Sequence, residues 1–316
     1  MPLITIVVPI FNEESVIPEF YSRLSGVLDG LGHMYAGEII FVNDGSSDVS
    51  LMLLHRIAAS DTRVRVVNLS RNFGHQLAIT CGIDHASGDA VVVMDGDLQD
   101  PPEVIGDLVA AWRAGAKIVH AVRTRRKGEC FSKKVTAAIY YRIIRCLSSA
   151  DLPLDSGDFR LMDRQVVAVL ATLREGKRYI RGMVSWVGFC QAKVPYERDA
   201  RYSGTTKYSF ARQVRLAFDG ISSFSDIPLH MAGYLGFFVT IVSFLYAIWL
   251  LTMKILDPSA SIQGWTSLML AIIFFGGVQL IALGILGQYV GRIYGEARNR
   301  PLYVVESEFG GTDEGI

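Results

Sequence analysis

Two long stretches of this chain carry no charged side chain, and they restrict its fold more than any other feature. Leu229 to Met253 and Thr266 to Gly291 contain no Asp, Glu, Lys or Arg. As a helix, rising about 1.5 Å per residue, each is longer than the ~30 Å hydrocarbon core of a bilayer. Both are therefore expected to cross a membrane, joined by the short loop Lys254 to Trp265. The 50% hydrophobic composition agrees with membrane segments rather than with an enlarged soluble core. Arg212 and Arg215 precede the pair, and Arg292, Arg298 and Arg300 follow it. Cations on both flanks place those flanks, and the domain before them, on the cytoplasmic side of the cytoplasmic membrane. Gly276, Gly277, Gly284, Gly287 and Gly291 give the second span a small-residue face suited to close helix packing, within the chain or between protomers. The expected organisation is a water-facing domain over 1–206, a juxtamembrane amphipathic helix over 207–228, a two-helix anchor over 229–291 and a tail over 292–316.

The first part of the chain alternates strands with helices. Leu3–Ile10, Glu38–Val42, Val64–Leu69, Val91–Met94 and Ala116–Val122 read as strands, and Val91–Met94 is a continuous, mostly β-branched apolar run of the kind buried on both faces of a sheet. Helical spacing falls between them, over Pro18–Leu28, Val49–Ala59, Gln76–Ala86 and Val104–Arg113. This order predicts an α/β domain with a mostly parallel, Rossmann-like sheet. The formal net charge is zero, so the broad basic field of a nucleic-acid partner is missing. The four cysteines form no C-x-x-C pair and read as reduced thiols. Leu3–Ile10 is too short, and interrupted by Pro9, to be a signal-peptide core.

Open α/β sheets hold ligands at the C-terminal ends of their strands. Acids sit at three such ends: Glu13, Asp44, and the pair Asp95 and Asp97 with Gly96 between. Two carboxylates this close favour a cation between them. Hard oxygen ligands, with a carbonyl from Gln99, suit Mg²⁺ or Mn²⁺ bridging to substrate phosphates. Glu13 and Asp44 can then bond a uracil edge and ribose hydroxyls. Taken singly, each motif also reads as a helix cap or a solvated acidic turn. No Gly-x-x-x-x-Gly-Lys loop and no Gly-x-Gly-x-x-Gly follows the first strand, against an NTPase or a dinucleotide fold.

Basic residues collect further on. Arg123, Arg125, Arg126 and Lys127 follow the fifth strand, where a cationic loop binds phosphate or is simply solvated. Phe131 to Ser148 has a helical apolar stripe. Asp158 and Arg160, two apart on an extended segment, face one side: Arg160 can hold a phosphate, or the two can pair internally. Arg201, Ser203 and Lys207 surround Gly204, which lets the backbone approach an anion. Phe210, Val214, Phe218, Ile221 and Phe224 then form an apolar face opposite Arg212 and Arg215, an interfacial or a core helix.

Six ordered motifs resemble the family 2 glycosyltransferases. They are Val8-Pro9-Ile10-Phe11-Asn12-Glu13-Glu14, Val42-Asn43-Asp44-Gly45-Ser46-Ser47-Asp48, Arg71-Asn72-Phe73-Gly74, Asp95-Gly96-Asp97-Leu98-Gln99-Asp100-Pro101-Pro102, Ser156-Gly157-Asp158-Phe159-Arg160-Leu161-Met162 and Ser203-Gly204-Thr205-Thr206-Lys207-Tyr208. Within that family they are similar to polyprenyl-phosphate sugar transferases of the bactoprenol glucosyltransferase and dolichol-phosphate mannose synthase kind. The resemblance implies a GT-A fold and inverting transfer of a hexose, glucose first, from UDP-glucose to undecaprenyl phosphate. Galactose, N-acetylglucosamine, an aminoarabinose derivative or mannose from GDP-mannose are the alternatives. It further implies a nucleotide-sugar site at Pro9, Glu13, Asp44 and Asp95, and a metal at Asp95, Asp97 and Gln99. Asp158 resembles the catalytic aspartate. Arg201, Ser203 and Lys207 resemble a loop that orders over lipid phosphate, and a homo-oligomer, a tetramer among the options, is expected. A processive synthase would need a Gln-x-x-Arg-Trp motif and more spans, both missing here. A non-catalytic membrane scaffold is the rival from another class, opposed by intact Asp95, Asp97, Gln99 and Asp158.

Overall fold

The computed structural model describes residues 1–123, 156–176, 178–197, 227–256 and 264–311. The segments expected to hold Arg125, Arg126, Lys127, Arg201, Ser203 and Lys207, and the helices expected over Phe131–Ser148 and Phe210–Phe224, lie outside these residues. The chain divides into two compact units: an α/β unit that includes residues 300–316, and a helical unit over 213–299.

Among the described residues, the α/β unit forms one eight-stranded sheet. Its strands are β1 (Leu3–Ile10), β2 (Ala36–Asn43), β3 (Val64–Leu69), β4 (Ala90–Val93), β5 (Ile118–Arg123), β6 (Ser156–Asp163), β7 (Gln191–Tyr196) and β8 (Val305–Gly310). They lie in the order β7-β5-β6-β4-β1-β2-β3-β8. The pairs β1–β2, β1–β4, β2–β3 and β5–β7 are parallel, while β6 and β8 run against their neighbours. The expected mostly parallel sheet is therefore found. β1, β2 and β4 are the central strands, and their unbroken apolar runs are buried on both faces, with Ile6, Val7, Ile40, Phe41 and Val92 all at 0% exposure.

Helices cover the sheet where the 3.6-residue pattern places them. α1 (Ile17–Leu31) buries Phe20, Leu24 and Leu28, one per turn. α2 (Ser50–Ser60) begins where Asp48 Oδ1 accepts the Ser50 N–H at 3.0 Å. α3 (His75–His85) lies so close on β1 and β2 that a Cβ on Gly82 would stand 2.1 Å from Val7 Cγ1. Pro102 opens a 3₁₀ turn, Pro102–Val104, that continues as α4 (Ile105–Arg113). α5 (Arg164–Thr172) is capped by Asp163, which accepts the Gln165 N–H, and α6 (Ile180–Trp186) follows.

Three strands carry no apolar run. β6 contains Asp158, Arg160 and Asp163, and β7 alternates exposed with half-buried residues. β8 is Val-Glu-Ser-Glu-Phe-Gly, drawn from the expected tail, and forms the edge of the sheet by pairing antiparallel with β3. Its partners decide its conformation: Arg65 Nη2 meets Glu308 Oε2 at 2.6 Å, and Asn68 Nδ2 donates to Glu306 Oε2 at 2.9 Å.

The second unit holds α7 (Ile227–Leu256) and α8 (Trp265–Ala297). Phe237, Phe238, Phe244 and Trp249 of α7, and Leu280, Ile281 and Leu283 of α8, are exposed. Among the described residues one stretch, Phe274–Ala297, is long and apolar enough to cross a membrane by length and composition. Among the described residues, α7 carries a shorter apolar stretch, Gly236–Tyr246. Two expected spans are thus matched by one that meets the length criterion.

Candidate active site

Topology gathers the acids. β4, β1 and β2 are neighbours and parallel, with Val7 level with Val93 and Ile10 level with Asn43. The residues just past their ends, Asp95, Glu13 and Asp44, consequently share one edge. β6 runs the other way, so its beginning lies at that same edge and brings Asp158 there. These residues line a cleft of about 600 Å³ together with Pro9, Gly74, His75, Asp97 and Arg181.

The turns at the edge hold one another. Asn12 Oδ1 accepts the Ser47 N–H at 2.8 Å, and the Asn12 N–H donates to Ser46 Oγ at 3.0 Å. Gly45 has φ +65, and a Cβ there would stand 2.5 Å from the carbonyl carbon of Arg71. Next to it, Asp44 accepts the Phe73 N–H on one oxygen (2.7 Å) and the Gly74 N–H on the other (2.9 Å). Burial raises its pKa, partly offset by these two bonds. Asp44 thus shapes the 71–74 loop besides facing the cleft. In the acidic turn Leu98 is buried with φ 58, a conformation that a bulky residue adopts only when its surroundings impose it. Asp97 Oδ1 accepts the Gln99 N–H at 3.1 Å and keeps the turn closed.

Asp95 and Asp158 differ in their partners. Asp95 Oδ1 is out of solvent and has no hydrogen bond among the described residues; His75 Nε2 comes to 3.4 Å. Burial, with the negative charges of Asp158, Asp100 and Asp97, pushes its pKa up to about 6. Asp158 takes Arg181 Nε at 2.8 Å on Oδ1 and Arg181 Nη2 at 3.0 Å on Oδ2. Its Oδ2 is also 3.2 Å from His75 Nε2 and 3.3 Å from Gln76 Nε2. Burial opposes its charge, but bonds from His75 and Arg181 and the charges of Arg181 and Arg160 hold it far below the usual carboxylate range. Burial likewise opposes the charge on His75, and the bond to Asp158 with the field of Asp95 outweighs it and raises the pKa.

A buried, unbonded carboxylate oxygen beside a second carboxylate is what a divalent ion would satisfy. No group of three or more His, Cys, Asp or Glu able to hold a metal exists among the described residues. The oxygen donors of Asp95 and Asp97 fit a hard divalent ion such as Mg²⁺ or Mn²⁺.

Pro9, Glu13, Asp44, Asp95, Asp97 and Asp158 all line the cleft. Gln99 is buried and does not line it. Arg160 is 1% exposed and turns inward, its Nη2 donating to the Gly157 carbonyl at 2.8 Å and its Nε to that of Asp158 at 3.3 Å. Arg123, at the end of β5, donates to Tyr196 Oη at 3.1 Å and lies 3.6 Å from Asp100. His75, Gln76 and Arg181 were not anticipated. The first two directly follow the Arg71–Gly74 motif, which could have pointed to them; Arg181 stands in no motif quoted above.

The family model for glycosyl transferase family 2 matches residues 5–170, the span that contains every acid of the cleft. The chain is a family 2 glycosyltransferase. It has the GT-A α/β fold of that family. This glycosyltransferase is 48% identical to an uncharacterized glycosyltransferase, YkcC, of Bacillus subtilis, over 97% of this chain and 94% of the relative. It is 42% identical to the bactoprenol glucosyl transferase of Shigella phage SfV, over 96% of this chain and 98% of the relative. Among solved structures it is similar to the glucosyl-3-phosphoglycerate synthase of Mycobacterium tuberculosis in complex with Mn²⁺, UDP and phosphoglyceric acid. That likeness has a TM-score of 0.47 and 21% identity, over 71% of this chain and 80% of the other.

Proposed function

We propose that this glycosyltransferase moves glucose, with inversion, from UDP-glucose to undecaprenyl phosphate at the cytoplasmic face of the membrane. The observation that carries the reading is near-full-length similarity to a bactoprenol glucosyl transferase, in a chain whose cleft keeps its acids together. Glu13 and Asp44 bind the nucleoside. Asp95 and Asp97 would hold Mg²⁺ or Mn²⁺, with Gln99 supporting their turn, and the ion's charge offsets that of the leaving diphosphate. The acceptor needs little activation. A phosphate monoester has its second pKa near 6 and is largely dianionic at neutral pH. One of its oxygens attacks the anomeric carbon as the bond to UDP breaks, so a single in-line displacement inverts the centre. Asp158, already accepting from Arg181, His75 and Gln76, orients these groups rather than taking a proton. Arg125, Arg126, Lys127, Arg201, Ser203 and Lys207 are assigned to the lipid phosphate on their sequence positions, and Arg123 to holding the base of that cationic loop.

We read both long helices as membrane-crossing. Support comes from β8: residues before the helices and residues after them share one sheet. A chain that starts and ends on one side of a bilayer crosses it an even number of times. The arginines on both flanks agree with a cytosolic sheet. Association into a homo-oligomer through the glycines of α8 is part of the same proposal; Gly276, Gly277, Gly284 and Gly287 have open space where a Cβ would stand.

The deciding experiment incubates the purified full-length protein with undecaprenyl phosphate and, in turn, UDP-glucose, UDP-galactose, UDP-N-acetylglucosamine and GDP-mannose. Mass spectrometry of the lipid fraction is expected to give a hexosyl-phosphate lipid from UDP-glucose. A glycolipid formed from another donor alone overturns the sugar, and the lack of any glycolipid overturns the acceptor.

A further inference from the structure

The cleft has an imbalance of charge. Glu13, Asp44, Asp95, Asp97 and Asp158 line it, and among the described lining residues Arg181 is the one permanent cation. In the transferase reading above, both substrates carry phosphate: the nucleotide sugar and the lipid acceptor. A phosphate entering this cleft meets five carboxylates, and it needs fixed positive charge as well as any bound ion.

Arg181 is built for that task. It stands in the first turn of α6, and its side chain is 40% exposed, so it reaches solvent in the cleft. A guanidinium has five N–H donors in a rigid fork. Asp158 engages Nε and Nη2, which fixes the plane of the fork and, among the described residues, leaves Nη1 with both of its hydrogens. Asp158 is itself 4% exposed and held by His75 and Gln76 from the start of α3. Buried Arg160 clamps the backbone carbonyls of Gly157 and Asp158 from behind. The carboxylate that grips Arg181 is therefore one of the most constrained groups at the sheet edge.

We propose that Arg181 binds a substrate phosphate in the cleft, and that Asp158 is the positioning residue that aims it. The inference rests on the transferase reading above and adds a residue that reading does not use. The phosphate belongs either to the diphosphate of the donor or to the phosphomonoester of the acceptor; the chemistry of recognition is the same, a guanidinium on phosphate oxygens.

The test uses the full-length protein with Arg181→Gln and Arg181→Lys. UDP binding is measured by calorimetry without lipid, KM and kcat are measured against UDP-glucose and undecaprenyl phosphate, and Tm is recorded. Arg181→Gln is expected to lose about tenfold or more in kcat/KM for one phosphate substrate. Arg181→Lys, which keeps the charge without the fork, should recover part of that loss. Weakened UDP binding without lipid assigns Arg181 to the donor diphosphate. A raised KM for undecaprenyl phosphate with unchanged UDP binding assigns it to the acceptor. A Gln variant with a lower Tm but with UDP affinity and both KM values within about twofold of wild type overturns the proposal, because Arg181 then serves only as the partner of Asp158. If the Gln variant does not fold, the Lys variant decides by the same readings. Failure of the lipid-acceptor reading is separate: the unmodified protein would then give no glycolipid, while the UDP-binding arm would still report on Arg181.

Discussion

Asp95 and Asp158 stand on one sheet edge and face one cleft, in opposite surroundings. Asp95 lies in a turn with acids around it and an oxygen that bonds to nothing. Asp158 lies at the start of a strand, and both its oxygens accept from cationic or amide donors. The first region is short of positive charge and takes it from whatever enters the cleft. The second brings its own cations and is complete before substrate arrives. One aspartate is therefore tuned to a ligand, the other to geometry.

The largest effect should come from emptying the first region. Asp95→Asn keeps the shape of the turn and removes the charge that would hold a metal. Turnover with saturating substrates is expected to fall by about a thousandfold, several kcal/mol of transition-state stabilisation. Activity within tenfold of wild type that also survives EDTA would erase the distinction between the two carboxylates.

Stability should separate them next, and with opposite signs. Asp95 has a folded-state pKa raised to about 6. Stability linked to it is present below the unfolded value and is lost as pH rises through about 6. At pH 7, without metal, the charged group destabilises the fold by about 3 kcal/mol. Asp95→Asn should accordingly raise the Tm of EDTA-treated protein. Asp158 has its pKa lowered, so its stabilisation is present above the unfolded value and lost only in strong acid. Asp158→Asn should lower the Tm, by about 2 kcal/mol in unfolding free energy, since it leaves Arg160 and Arg181 without their counter-charge. Thermal melts of the two variants at pH 7 check both signs.

The smallest effect concerns the ground behind Asp158. His120 on β5 lies level with Arg160 on β6 and bonds Gln191 through Nε2 at 3.0 Å. Burial, with the charges of Arg160 and Lys193, lowers its pKa to about 4. The unfolded chain binds a proton near pH 6.5 that the native state refuses until about pH 4. Stability is thus lost as pH falls across that window, by at most about 3 kcal/mol. His120→Gln should flatten this part of the Tm–pH curve. An unchanged slope between pH 6.5 and 4.5 would mean that the cationic excess around Asp158 does not extend to β5.

The sequence showed the centre of this fold better than its margins. β1 to β5 are mostly apolar because they are largely buried, and burial is what a hydrophobic pattern records. β6 hides behind Asp158, Arg160 and Asp163; the cations that meet the two acids, Arg181 and Lys117, come from distant parts of the chain. β8 hides for a different reason: an edge strand with Glu306, Ser307 and Glu308 needs no apolar face, and its pairing with β3 is invisible until the sheet exists. The acids of the site could be read because each stands just past an apolar strand. Arg181 could not, because nothing local marks an arginine whose partner lies 23 positions away. Asp44 was read as a nucleotide ligand, and its hold on the Phe73 and Gly74 amides emerged only from the folded loop.

The late position of β8 sets an order of events in the making of this protein. Leu69 pairs with Val305, and the Ser70 N–H bonds the Val304 carbonyl at 3.0 Å. Ribosomes deliver the chain from its N-terminus, so β3 waits with an open edge while both apolar helices are synthesised. An unpaired strand edge is a template for wrong partners, and this one stays unpaired for most of translation. The loop that Asp44 gathers begins at Ser70, where the tail docks. Nascent chains halted before residue 305 would carry every acid of the cleft and still present an unfinished sheet to the cell's quality-control machinery.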